Sequence, residues 1–285
     1  EQKYASVAFK VGKFDPAGRR VMMTMADFVH YMRVNQDAKP LYIFDSKFGA
    51  KVPEFLTDYY VPEFFWEDLF ACLGEHLRPP FRWMVMGPQR SGTPFHTDPH
   101  GTSAWNALLQ GHKRWAIYPP TLPVPPGIKK DLSGPHALKW YSTVYPYLEP
   151  HMKPWEITQC PGEMIFVPSG WWHAVLNLDN TIAVTQNFVN VRNLEMVVKD
   201  FVVEGNGELL HKWMNDLKPL RPELMKTMYS YEQQWLARVY ADQLKEAKEE
   251  LAEYEAREEE LDAREKALKE REAALAEREA ELADK

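Results

Sequence analysis

SGTPFHTDPHGTSAWNALLQGHKRWAIYP, residues 91–119, is the stretch on which the fold of this 285-residue chain turns. It holds an H-x-D pair, His96 and Asp98, and continues as short alternating segments that carry Asn106 and Lys113, with Gly111-His112 as a turn between strands. Residues two apart on a strand share a face, so His96 and Asp98 both look inward from one strand and its end. Lys113 heads KRWAIY, whose alternation sets Lys113, Trp115 and Ile117 on one face. An ammonium on an apolar face is costly unless an anion pairs it. On the residues alone, a strand-end lysine reaching solvent is an equal reading.

Downstream, WEITQCPGEMIFVPSGWWHAVLNLDNTIAVTQNFV alternates runs and turns without a break. Trp155–Cys160, Glu163–Val167, Trp171–Leu178 and Thr181–Val189 read as strands, and Asp179-Asn180 as the tight turn of a hairpin. Short strands at near-regular spacing predict a closed barrel or a double-sheet jelly roll. Between the two stretches, the prolines of 119–135 predict loop, because proline denies a ladder its N–H donors. LKWYSTVYP after it reads as a short strand. Upstream, residues 1–35 read as a strand and then a helix, with Thr24 capping MADFVHYMRV. LYIFD is a β-type segment ending at Asp45, PEFFWEDLFACLGEH reads as a helix entered at its proline, and FRWMVMG (81–87) as a strand.

Beyond Asn190 the pattern turns helical, first NLEMVVKDFV and GELLHKWMNDLKPL, then a continuous helix from about Pro222. Leu261, Leu268, Leu275 and Leu282 recur every seven residues in its last part, with Arg257, Arg264, Arg271 and Arg278 keeping step. The position three before each leucine is a glutamate, so the pattern describes a charged, solvated helix or a weak coiled coil. The expected organisation is a β domain over 1–190 with N-terminal strand and helix elements, a helical region over 191–242, and a charged helix over 243–285. The fold class is mainly β with flanking helices (α+β).

Composition narrows the function. Residues 243–285 hold nine Lys/Arg against sixteen Asp/Glu, which accounts for the whole net charge of −7 and leaves the remainder neutral. A neutral body gives no overall pull toward nucleic acid, although Arg78, Arg82 and Arg90 form local basic positions. Two cysteines are too few for a disulfide framework. No apolar run approaches the ~18 residues of a membrane span, so no membrane partner is expected. The first residues lack the charged start and apolar core of a signal peptide.

Two imidazoles and one carboxylate on one face, with no cysteine beside them, suit Fe(II) better than structural zinc. His96 and Asp98 supply two ligands, and His173 in GWWHAV is the candidate third. A lone H-x-D is a weak signal, and a histidine between aromatic neighbours is often a packed core residue. His100 and His112 are the nearby competitors. Tyr42, Thr93, Asn106 and Thr185 are candidate neutral hydrogen-bonding groups, and Trp83, Trp171 and Trp172 candidate walls.

HTDPHGTSAWNALLQGHKRW, PGEMIFVPSGWWHAVLNLDNTIAVTQNF, PLYIFDS and RWMVMGPQRSGT closely resemble the Jumonji-C oxygenases over about residues 8–220. The resemblance implies a double-stranded β-helix, the cupin-like jelly roll, and Fe(II)/2-oxoglutarate chemistry with O2 as co-substrate. It implies His96, Asp98 and His173 as metal ligands and Tyr42, Thr93, Asn106, Lys113 and Thr185 as 2-oxoglutarate residues. Lys113 with Tyr42 and Thr93 would take the distal carboxylate, and Asn106 would sit near the iron-bound end. It further implies hydroxylation of lysine at C5 in basic proteins of RNA processing or chromatin, with arginine N-demethylation as the alternative activity. Protein substrates rich in Lys and Arg, RNA-processing partners and a nuclear location follow from the same resemblance, and self-association through the C-terminal helices is a further expectation. A silent barrel used as a scaffold for its helical tail is the reading from another class; a complete ligand set with Lys113 argues against it. Thr97, the loop 119–139 and the charged tail depart from the family pattern, so substrate choice is expected to lie in those loops.

Overall fold

A computed structural model describes residues 2–14, 18–122, 124–129 and 131–283, and divides into two compact units, Glu1–Tyr231 and Glu232–Lys285. The first unit is built on a barrel of eight strands: β4 (Arg82–Gly87), β5 (Gly92–His96), β6 (Ser103–Gln110), β7 (Lys113–Tyr118), β8 (Trp155–Gln159), β9 (Met164–Val167), β10 (Trp172–Asn177) and β11 (Thr181–Phe188). They fall into two antiparallel sheets. One runs β4-β11-β6-β9 and is extended beyond β4 by β3 (Ile43–Asp45), β1 (Ala8–Phe14) and β2 (Arg20–Thr24); the other runs β5-β10-β7-β8. Successive strands from β4 to β11 alternate between the two sheets, except that β7 and β8 are neighbours in one, which is the double-stranded β-helix of a cupin-like jelly roll.

That topology corrects one expectation. Asp179-Asn180 is not a hairpin turn, because β10 pairs with β5 and β7 whereas β11 pairs with β4 and β6. The turn carries the chain from one sheet to the other. The Asp179 carboxylate fastens it by accepting the backbone N–H of His112 at 2.6 Å and meeting His112 Nδ1 at 2.7 Å. Local turn chemistry fixed the bend but not the partner strand.

Both faces of β10 are covered. Every residue of β10 is buried. On its outer side Trp172, Ala174 and Leu176 pack with Phe95, Ala116 and Tyr118 against Ala137, Trp140 and Tyr141. Those last three belong to α4 (Ala137–Thr143), where a strand was expected. Their i, i+3, i+4 spacing puts one apolar stripe on the sheet, and burial of that stripe outweighs the β-propensity of Trp, Tyr and Thr. Outside the large sheet, Phe9, Phe28, Ile43, Phe48, Met84 and Met86 form a second cluster under α1 (Met25–Val34), which Thr24 caps by accepting the Asp27 N–H at 3.2 Å.

The helix expected over PEFFWEDLFACLGEH also does not form. Single turns at Glu63–Phe65 and Ala71–Leu73 lead into α3 (Gly74–Leu77), one turn long, just as α2 (Phe48–Lys51) is. The Asp68 carboxylate accepts the Phe70 N–H, competing with helical bonding, and Gly74 takes φ +65. The aromatics also pull in different directions: Phe65 packs on Trp105 and Phe188, Phe70 on Phe201 and Trp213. The last two sit on α5 (Leu194–Val203) and α6 (Gly207–Leu217), whose buried stripes complete this core.

α7 runs Met225–Ala283. In its outer part Lys245–Glu249 and Glu265–Lys269 are i,i+4 pairs. Tyr240, Leu244, Leu251, Tyr254 and Leu261 are exposed along it. The side chains of Leu268, Leu275 and Leu282, which carry the heptad expectation, lie outside the described residues.

One glycine is fixed by close approach. A Cβ at Gly92 (φ +152) would lie 1.9 Å from the carbonyl oxygen of Val175 on the neighbouring strand. Gly92→Ala is expected to lower stability by more than the roughly 0.5–3 kcal/mol of an ordinary substitution. An unchanged urea midpoint would contradict that close contact.

Candidate metal centre and co-substrate cavity

Inward-facing residues of the two sheets enclose a cavity of about 230 Å³. Tyr42, Thr93, His96, Asp98, Asn106, Lys113, His173 and Thr185, drawn from six segments of sequence, all line it. Antiparallel pairing explains the convergence, since directly opposed residues share a face. His173 stands opposite both His96 on β5 and Ile117 on β7, and Lys113 stands opposite Asn177. The histidine and lysine levels are therefore four residues of β10 apart, roughly 13 Å. One end of the cavity is a set of metal-ligating groups and the other a lone cation.

At the first end, the ligand atoms of His96, Asp98 and His173 lie within 4.8 Å of one another. The two imidazole centroids are 4.1 Å apart. Nδ1 of His96 is 2.9 Å from the carbonyl of Pro94, and Nδ1 of His173 is 3.1 Å from the carbonyl of Trp171. A ring that donates from Nδ1 to a carbonyl keeps its Nε2 lone pair free, the arrangement a metal-binding histidine needs. Burial, with His96 adding to it, depresses the His173 imidazole to about 4, so this ring is neutral at physiological pH. Asp98 Oδ2 is buried without a hydrogen-bond partner. A neutral imidazole pair beside an unsatisfied carboxylate is the donor set of a divalent metal, so the residues fit the group.

At the other end Lys113 is 2% exposed and burial alone lowers its ammonium to about 8. No carboxylate offsets that among the described residues. Asn106 Oδ1 and Asn177 Oδ1 are also buried without partners. Thr185 donates from Oγ1 to the Trp105 carbonyl at 2.9 Å, and burial raises the Tyr42 phenol, keeping it a neutral donor. Val85 with Tyr42, Phe44 and Trp83 forms one apolar wall; Ala104, Trp115, Val167 and Val175 form another. A cavity with a buried cation, several neutral hydrogen-bonding groups and apolar sides is shaped for a small anion.

Asn177 and Asn187 line the cavity and were not singled out from the sequence. The signal was present: His173, Val175 and Asn177 are two apart, as are Thr185 and Asn187. Carrying period two onward from each chosen residue finds both. Of the three candidate tryptophan walls, Trp83 lines the cavity, Trp172 packs in the outer cluster under α4, and Trp171 packs beside Trp155. The competing histidines are held elsewhere. His100 pairs with Glu204 at 2.9 Å and stacks on Phe201, and His112 pairs with Asp179.

Residues 83–188, essentially the run from β4 to β11, match the family model described as JmjC domain, hydroxylase. The bifunctional arginine demethylase and lysyl-hydroxylase psr-1 of Caenorhabditis elegans is 45% identical over 240 residues, 80% of this chain and 60% of that protein. Lysine-specific demethylase JMJ21 of Arabidopsis thaliana is 47% identical over 207 residues, 70% of this chain and 22% of that protein. The 2-oxoglutarate and iron-dependent oxygenase JMJD4 of Danio rerio is 32% identical over 197 residues, 64% of this chain and 45% of that protein. The chain thus spans at most 60% of the length of these relatives. With the barrel, its strand order and the matched residues in agreement, residues 83–188 form a JmjC domain.

Proposed function

We propose that this chain is an Fe(II)- and 2-oxoglutarate-dependent oxygenase that hydroxylates lysine side chains at C5 in basic protein segments. The observation that carries the reading is the pairing, in one cavity, of the His96–Asp98–His173 cluster with the buried Lys113. The three ligands would hold the metal through Nε2 of each histidine and a carboxylate oxygen of Asp98. Lys113, with Tyr42 and Thr93, would hold the distal carboxylate of 2-oxoglutarate, while Asn106 and Thr185 serve its remaining length. Iron with 2-oxoglutarate and O2 supplies the oxidising power for an unactivated C–H bond. The chain's own residues orient the co-substrate between the two ends and exclude water with the apolar walls.

Arginine demethylation is the second reading, supported by the similarity to psr-1, which is named for that activity as well as for lysyl hydroxylation. Both are one hydroxylation: at lysine C5 it leaves a stable alcohol, on an N-methyl group it leaves a carbinolamine that releases formaldehyde. Mass spectrometry of basic peptides separates them. A gain of 16 Da on unmodified lysine, matched by succinate, is expected; loss of 14 Da from methyl-arginine with no gain on lysine would reject the lysine assignment.

Partners are proposed on the same footing: protein substrates rich in Lys and Arg, RNA-processing or chromatin proteins among them, met in the nucleus. A tagged chain confined to the cytoplasm would remove that location. No helix among the described residues is long and apolar enough to cross a membrane. Self-association is proposed through α7, where Leu244 and Leu251 are seven apart and Tyr254 and Leu261 repeat that interval three residues on. Leu244, Ala247, Leu251 and Tyr254 keep both seam positions apolar there, before Glu258 opens the glutamate-lined heptads. Leu251→Glu is expected to convert a dimer to a monomer in sedimentation equilibrium; a wild-type chain that is monomeric at 100-fold higher loading would end the proposal.

A further inference from the structure

We propose that a second cavity, of about 460 Å³, is a binding site for a small anion of the carboxylate or phosphate class, held by Arg90, Lys39 and His136. It lies behind the first cavity. Tyr42 and Gly92 line both, so the Tyr42 ring forms part of the wall between them. That wall is tightly held: a Cβ at Gly12 would come 3.1 Å from the Tyr42 ring, and one at Gly87 would come 3.0 Å from its Cβ.

The three groups come from separate segments of the chain. Lys39 precedes β3, Arg90 sits in the turn between β4 and β5, and His136 caps the start of α4. Arg90 adopts φ +73, an unfavourable conformation for a long side chain, and its backbone N–H donates to the Asn177 carbonyl at 2.9 Å. Its placement is thus fixed by the end of β10. Among the described residues no carboxylate forms an ion pair with Arg90 or Lys39. The one acidic residue in the lining, Asp37, has its carboxylate taken by the Tyr31 hydroxyl at 2.6 Å. Burial, and then Lys39 and Lys139, depress the His136 imidazole, so His136 enters the site as a neutral hydrogen-bonding group. A guanidinium and an ammonium lining one concave pocket, neither in an ion pair among the described residues, favour binding an anion, and a guanidinium prefers planar or tetrahedral oxyanions. Lys113 is not part of this lining, so the assignment stands apart from the reading of the first cavity.

The test uses the full chain with metal removed by chelation, which silences any metal-dependent binding in the first cavity. Succinate and inorganic phosphate are titrated separately by calorimetry at low ionic strength. At least one should bind saturably, and the pair of titrations tells which source of charge the site takes. Binding should weaken about tenfold or more, equivalent to 1.4 kcal/mol per decade, in Arg90→Gln and in the Lys39→Gln/His136→Gln double variant. It should be retained in Lys113→Met and largely restored by Arg90→Lys. The double variant leaves the Arg90 turn untouched, so it decides the matter even where Arg90→Gln fails to fold. Absence of saturable binding by either anion overturns the proposal, as does binding that survives the Arg90 and double variants but disappears in Lys113→Met.

Discussion

Asp98→Ala is expected to cut succinate formation at least about a thousandfold, some 4 kcal/mol of barrier, while leaving the metal-free protein as stable as the wild type or slightly more so. The carboxylate is the only anionic member of the ligand cluster, and its Oδ2 is buried with no hydrogen-bond partner. The fold therefore loses little when it is removed, and relief of an unsatisfied buried oxygen offsets the lost packing. His96→Ala should be as damaging to turnover, since His96 stands opposite His173 and their rings are 4.1 Å apart. Succinate release at an undiminished rate by either variant would overturn the ligand assignment. A large drop in thermal stability of Asp98→Ala without metal would show instead that the carboxylate is a structural group.

Lys113→Met separates stability from function more sharply. The lysine is 2% exposed, and burial alone takes its ammonium from 10.5 to about 8. That drop corresponds to roughly 3 kcal/mol by which the charged form is disfavoured in the fold. Below pH 8 both folded and unfolded chains carry the proton and the folded one bears the whole penalty. Between about pH 8 and 10.5 the unfolded chain binds more protons than the folded chain, so stability rises with pH through that window. Methionine fills similar space without charge. Lys113→Met should therefore stabilise the co-substrate-free protein at pH 7 by an amount approaching that penalty and flatten the pH dependence above 8. It should also weaken 2-oxoglutarate binding by about two decades or more, because the pairing cation for the distal carboxylate is gone. Urea unfolding at pH 7 and pH 10, beside co-substrate titration, measures both. A variant less stable than wild type at pH 7 with intact co-substrate binding would mean that Lys113 is satisfied within the fold.

The legible parts of the sequence were those governed by period. Alternation along β4–β11 located the barrel strands, and the same alternation set His173 and Lys113 facing inward. What was hidden depended on partners distant in sequence. Asp-Asn at 179–180 reads as a hairpin whichever strand follows, and only the sheet order reveals a crossover. LKWYSTVYP has β-prone composition, yet the sheet face it covers needs a stripe at helical spacing from Ala137, Trp140 and Tyr141. PEFFWEDLFACLGEH has helix-like spacing, but Asp68, Gly74 and two separate aromatic pockets break it into turns. The pocket of Lys39, Arg90 and His136 left no local pattern at all, since its members come from segments about fifty residues apart.

Anaerobic addition of Fe(II) and 2-oxoglutarate to the full chain tests the central claim most directly. A weak visible metal-to-ligand charge-transfer band should develop only when both are present, saturate at one equivalent of each, and be absent from Asp98→Ala and Lys113→Met at the same concentrations. No band in the wild-type protein, or an equal band in both variants, would contradict the assignment of this cavity to iron and 2-oxoglutarate.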